Sequence, residues 1–190
     1  MLPKTFPLAA AALLVVAACS EPTRILANFE TVGDTLTVYA LTGTPVSYPS
    51  ALNTPYHEAV RADGTISFDV AFDIDSAGRV LIYPQKLVTG GLGPQRQVGI
   101  VKSTTAFDSI RIAPSSGYNY DSVTVAARGD VLVIEAFTPY CVNDPLTTQK
   151  IYSKLQIDSV DVAARAIDLH MVVDPNCGFR QLVPGLVPTA

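Results

Sequence analysis

The chain has 190 residues, 48% hydrophobic and 16% charged, with 13 basic against 17 acidic side chains and a formal charge of −4. That length fits one domain, and the apolar content excludes wholesale disorder. The acidic balance excludes the basic face that nucleic-acid binding needs.

Residues 1–18 stand apart from the fold. Lys4 supplies one positive charge, and 8–18, LAAAALLVVAA, is an unbroken apolar run. A helix needs about 20 apolar residues to cross a bilayer. This run is too short for that and has the length of the apolar core of a secretory signal peptide. It ends in Val16-Ala17-Ala18-Cys19. The sequence here resembles the lipobox of bacterial lipoproteins, an aliphatic residue, two small ones and a Cys. The resemblance implies cleavage before Cys19, acylation of its sulfur and amine, and attachment to a membrane of the bacterial cell envelope, facing the periplasm. In that class an Asp after the Cys favours the inner membrane, so Ser20 favours the outer one. Each buried CH₂ contributes about 0.8 kcal/mol, so two or more acyl chains anchor stably. Cleavage takes away Lys4 and no acid, which moves the formal charge from −4 to −5. Such a surface offers no polybasic attraction to anionic lipid, and the acyl chains must supply the attachment. Residues 19–27 read as a tether reaching at most about 25–30 Å, 28–182 as the folded domain, and 183–190 as an irregular tail.

The mature chain reads as strands. LTVYAL over 36–41 is the first. A stretch without pattern follows over 42–58, holding Pro45, Pro49, Pro55, Tyr48 and Tyr56. Loops beyond about 12–15 residues are uncommon in compact domains and often functional. A short turn of helix fits 59–61. The clearest strand is 65–74, where Ile66, Phe68, Val70, Phe72 and Ile74 recur at period two and put one face in a core. Asp75-Ser76-Ala77-Gly78 turns the chain into a partner strand over 79–83. Thr89-Gly90-Gly91-Leu92-Gly93-Pro94 reads as a mobile loop, with no Gly-Lys-Ser/Thr to make a phosphate loop.

Strands are predicted over 97–102, 107–112 and 122–127. Between the last two lies PSSGYNYD, 114–121, in which Tyr118 and Tyr120 stand among Ser, Gly and Asn, the chemistry of adaptable binding surfaces. Arg128-Gly129-Asp130 is turn chemistry. VLVIEAF over 131–137 is nearly continuous apolar and reads as a central strand buried on both faces. A long hairpin follows, 150–162 and 166–173. Its inward parity switches after Ile157, which predicts a bulge near Asp158 and Ser159. Eight to ten short strands with turn chemistry between them indicate an all-β fold, an antiparallel sandwich of immunoglobulin-like size with a barrel as the alternative. The overall pattern resembles small envelope lipoproteins of diderm bacteria, a resemblance that implies a location and no activity.

With Cys19 assigned to lipid, Cys141 and Cys177 remain. An exported chain meets an oxidising compartment, where two such cysteines pair. The bond would close a loop of about 37 residues, worth roughly 3–4 kcal/mol. The rival, a nucleophilic Cys141 served by His170, needs a depressed thiol pKa for which the sequence offers no cause. Two Cys and two scattered His lack metal-ligand spacing. Asp73-Ile74-Asp75-Ser76-Ala77-Gly78 resembles the start of a calcium loop, but Ala77 and Pro84 stand where ligands belong. There is no Gly-x-Ser-x-Gly elbow, and His57 and His170 have no paired nucleophile. The expectation is a non-enzymatic, lipid-anchored protein without cofactor or metal, which binds or scaffolds an envelope protein partner. Tyr48, Tyr56, Tyr118 and Tyr120 mark its candidate binding loops. The alternatives are a carrier or sensor of a small apolar ligand, and an envelope hydrolase working through carboxylates.

Overall fold

The computed structural model describes residues 27–63, 67–90, 96–141 and 149–188. Among the described residues ten strands form two antiparallel sheets that pack face to face and do not close into a barrel. The strands are β1 (Val32–Tyr39), β2 (Ala51–Asn53), β3 (Glu58–Val60), β4 (Val70–Ile74), β5 (Val80–Pro84), β6 (Val98–Ser103), β7 (Thr124–Ala126), β8 (Val131–Phe137), β9 (Lys150–Asp161) and β10 (Ala166–Asp174). The larger sheet runs β1-β10-β9-β8-β6, and the smaller runs β3-β2-β4-β5-β7. A four-residue helix, α1 (Gln85–Val88), follows β5.

The main core lies between the sheets. Alternation delivers it: Val70, Phe72 and Ile74 from β4 meet Leu132, Ile134 and Ala136 from β8 and Leu155 and Ile157 from β9. Fully burying one such side chain contributes about 1.5–3 kcal/mol. The outer face of the larger sheet is also covered. Phe107, Ile110, Ala113 and Leu182 lie on Val131, Val133, Tyr152 and Val172. That second layer explains why β8 reads as continuously apolar. A third cluster, Ala51, Val60, Phe68 and Ala71, backs the smaller sheet.

The long hairpin carries its predicted bulge. Ser159 pairs with Asp168 and Ile157 with Leu169, so Asp158 is the extra residue. The predicted turns are in place as well. Gly78 sits at φ 76°, and Asp75 Oδ1 accepts from the amides of Ala77 and Arg79, so its carboxylate serves the turn. Those amides, Arg79 first, hold the Asp75 carboxyl below its ordinary pKa. Gly129 sits at φ 87°, and Asp130 accepts from the Ala127 amide at 2.7 Å.

Four predicted elements differ. The 65–74 strand begins only at Val70. Asp69 turns its carboxylate to the Thr54 amide and Arg96, which breaks the alternation and sends Phe68 to the outer cluster; Ile66 lies outside the described residues. The 107–112 strand is instead a 3₁₀ turn, Phe107–Ser109, because Phe107, Ile110 and Ala113, three residues apart, all turn onto the sheet. The 59–61 turn of helix is a strand, β3, paired with β2. The 42–58 loop is no single loop. It contains β2 and a 3₁₀ turn, Thr54–Tyr56, and runs from one end of the sandwich to the other.

At the far end, away from residues 27–31, Arg165 joins the two sheets. Its guanidinium donates to Asp73 Oδ1 at 2.6 Å, Ile74 O at 2.9 Å and Thr42 O at 2.6 Å. Charge-assisted bonds of this kind are about twice as strong as neutral ones.

Candidate binding surface

Cys19 lies outside the described residues; the surface is therefore built from what surrounds the domain end that follows it. Asn176 pins that end. Its Oδ1 accepts from the amides of Asn28 and Phe29 at 2.8 and 3.0 Å, and its Nδ2 donates to Phe29 O at 2.8 Å. Thr31 exchanges backbone bonds with the C-terminal segment, donating to Leu186 O and accepting from Gly185 N. Cys177, next to Asn176, is bonded to Cys141, with Cα atoms 5.6 Å apart. Tyr140 precedes Cys141 and meets Tyr56 edge-on, ring centroids 6.0 Å apart. Phe29, Asn176, the disulfide, Tyr140 and Tyr56 thus form one continuous rim at the near end.

The four candidate tyrosines separate. Tyr48 packs on Tyr39 at the far end, centroids 4.7 Å apart, whereas Tyr56 belongs to the near-end rim. Tyr118 and Tyr120 come together over β6, where Gly99 leaves room. A Cβ there would lie 2.7 Å from the Tyr120 ring and 2.8 Å from Tyr118 Cβ. Asn119 between them exchanges both backbone bonds with Ile100, so the 114–121 segment runs as a cover along β6. Tyr118 donates to Pro114 O at 3.0 Å; burial, with Glu135 nearby, raises its phenol pKa. Tyr118 is therefore part of the cover, while Tyr120 lines a groove.

That groove, about 380 Å³, runs between Lys86, Tyr120, Asp121, Phe137 and Lys150. Lys150 stands over the Phe137 ring at 4.7 Å and pairs with Glu135 at 3.0 Å. Lys86 pairs with Asp121. The groove thus sets two aromatic rings between two ion pairs whose charges are already met, suited to a partner with flat apolar groups. A second groove, about 660 Å³ at the far end, is lined by Lys102, Ser103, Thr104, Thr105 and Asp130.

Other titratable groups serve the fold. Asp69 is fully buried against Arg96 at 2.7 Å. His170 lies on the outer face of the larger sheet, with Nδ1 2.6 Å from Asp158 and its ring 4.2 Å from Phe107. Lys154, buried beside it, donates to the carbonyls of Phe107 and Ile110; burial lowers its pKa. His57 takes a left-handed turn, φ 44°, 3.5 Å from Asp34. Among the described residues no cluster of three or more His, Cys, Asp or Glu could hold a metal.

Asp174 is the exception. It is fully buried, its Oδ2 has no hydrogen bond, and its Oδ1 accepts from Asn176 N and Nδ2. Burial pushes its pKa from 3.8 up to about 6, against the opposing pull of the Asn176 bonds and of the Gln181 amide. Above that value the folded state bears a desolvated charge. Between the two values the folded state holds a proton that the unfolded chain releases, so stability falls as pH rises from about 4 to 6. Asp174→Asn keeps an oxygen for both Asn176 donors. It is expected to stabilise the fold at pH 7.5 by about 2 kcal/mol and to flatten the loss between pH 4 and 6. Urea titrations at the two ends of that range measure both effects, and an unchanged pH slope would refute the assignment.

Sequence reasoning missed Tyr140, Phe137, Lys150 and Asn176. Asn176 alone carried a signal, since Asp-Pro-Asn-Cys is local-turn chemistry in which an Asn side chain seeks backbone partners. Neither a family model, nor a characterised protein, nor a solved structure matches this chain.

Proposed function

We propose that this chain is a lipid-anchored protein of the bacterial cell envelope, whose sandwich binds or scaffolds another envelope component. The observation that carries the reading is the apolar run closed by Val16-Ala17-Ala18-Cys19, a few residues before the first described residue of the domain. The Cys141–Cys177 bond agrees with an oxidising compartment. A macromolecular partner is favoured over a small apolar ligand because these grooves are open to solvent, while the inner faces of the two sheets fill each other. A carboxylate hydrolase has little support, since Asp69, Asp73, Asp130 and Glu135 each face a cation.

The mass of the N-terminal peptide from native membranes tests the anchor. An acylated Cys19 is expected, and Cys19→Ser is expected to move the protein from the membrane to the soluble fraction. An unmodified terminus sinks the reading. Crosslinking before extraction tests the partner: a reproducible partner that is lost in Lys86→Ala/Tyr120→Ala supports the groove, and an acylated protein that never carries one counts against scaffolding.

A further inference from the structure

We infer that the near end of the sandwich is a membrane-contacting face, with Phe29, Tyr56, Tyr140, Leu186 and Val187 seated in the headgroup region of the bilayer. The inference rests on the anchor proposed above and adds the orientation of the domain. These five apolar side chains are exposed by 54%, 51%, 41%, 43% and 46%. They are held together by the chain's own bonds. Phe29 is fixed by Asn176, Asn176 adjoins the Cys141–Cys177 bridge, and Tyr140 beside that bridge meets Tyr56. Leu186 is bonded through its carbonyl to Thr31.

The occupant follows from where the chain enters. Residues 19–27 reach at most about 30 Å when fully extended, and they join the domain at Asn28 and Phe29, which Asn176 holds in this rim. A domain on so short a leash meets the headgroups first with the end that holds it. Tyr is suited to that position because its ring is apolar and its hydroxyl wet. The far end also exposes Val46, Tyr48 and Val162. Its turns, however, set them among six charged groups, Asp75, Arg79, Arg128, Asp130, Asp161 and Arg165, that are costly to bring against lipid, whereas the rim has Glu30 beside Phe29. Near-end charge offers no alternative attraction, since Lys86 faces Asp121 and Lys150 faces Glu135. The contact is therefore apolar and independent of anionic lipid.

The chain contains no Trp, so each introduced indole is a sole reporter. The acylated full-length mature protein, as Tyr140→Trp, Phe29→Trp or Val162→Trp, is placed in vesicles of phosphatidylcholine brominated near the carbonyl end of its chains. Interfacial burial of about 5–10 Å predicts that Tyr140→Trp and Phe29→Trp are quenched at least about twofold more than Val162→Trp, with blue-shifted emission. The same result is expected when a third of the lipid is anionic. Equal quenching at all three positions, or stronger quenching at Val162→Trp, overturns the inference. The N-terminal peptide mass from the same sample separates the two readings. An unacylated protein that still floats with vesicles and is quenched at Tyr140→Trp keeps the face and loses the anchor. One that neither floats nor is quenched loses both.

Discussion

Arg96→Met is expected to destabilise the protein by about 3–5 kcal/mol, the cost of leaving a buried carboxylate without its cation. Asp69 is fully buried and Arg96 nearly so, 2.7 Å apart. Asp69 also accepts from the Thr54 amide at 2.7 Å, and the Arg96 amide donates to Gln85 Oε1 at 2.9 Å. The pair therefore ties together the end of β2, the start of β4, α1 and the approach to β6. Adding Asp69→Asn to Arg96→Met removes the orphaned charge and leaves an oxygen for Thr54. The double variant is expected to recover most of the loss. Chemical denaturation of the two single variants and the double one forms the cycle. A double variant no more stable than Arg96→Met would show that packing of the guanidinium, and not charge pairing, is what matters.

Cys141→Ser/Cys177→Ser is expected to cost about 3–4 kcal/mol, from the chain entropy released when a loop of this length opens in the unfolded state. The bridge spans 36 positions and joins the turn after β8 to the turn after β10. Its removal also has a local signature. Asn176, no longer braced by Cys177, should hold Asn28 and Phe29 less firmly. Amide exchange at Phe29 is expected to rise well before exchange in β8 and β9, which report global unfolding. If Phe29 exchanges no faster in the double variant, Asn176 is placed by Asp174 alone.

How much could be read in advance followed from how local the signal was. Period-two alternation in β9, β10 and β5 and the turn at Asp75–Gly78 are set by neighbouring residues, so they were legible. The bulge at Asp158 was legible too, since one inserted residue inverts the parity of all that follow. Phe68 was misread because a single buried carboxylate, Asp69, takes its partners from Thr54 and Arg96, which are distant in sequence. The 107–112 segment was misread because its apolar residues serve a covering turn, where contact with a sheet already formed decides the conformation. The site divides in the same way. Tyr56 and Tyr120 stood out by composition, but Tyr140, Phe137 and Lys150 reach the surface through strand ends whose meeting depends on topology. Tyr48 shared a loop with Tyr56 on paper, and three residues of β2 carry them to opposite ends.

The pairing of β1 with β10 has a consequence for how the protein is made. Val32 meets Val173 and Tyr39 meets Ala166, so the first of the described strands has no strand partner until the last of them has been synthesised. Contacts between such distant segments must meet loop-closure entropy before they return any stability, which slows folding. A nascent chain of this design stays open until β10 is free, and the near-end rim, which needs Asn176 and the 185–186 segment, is assembled only then.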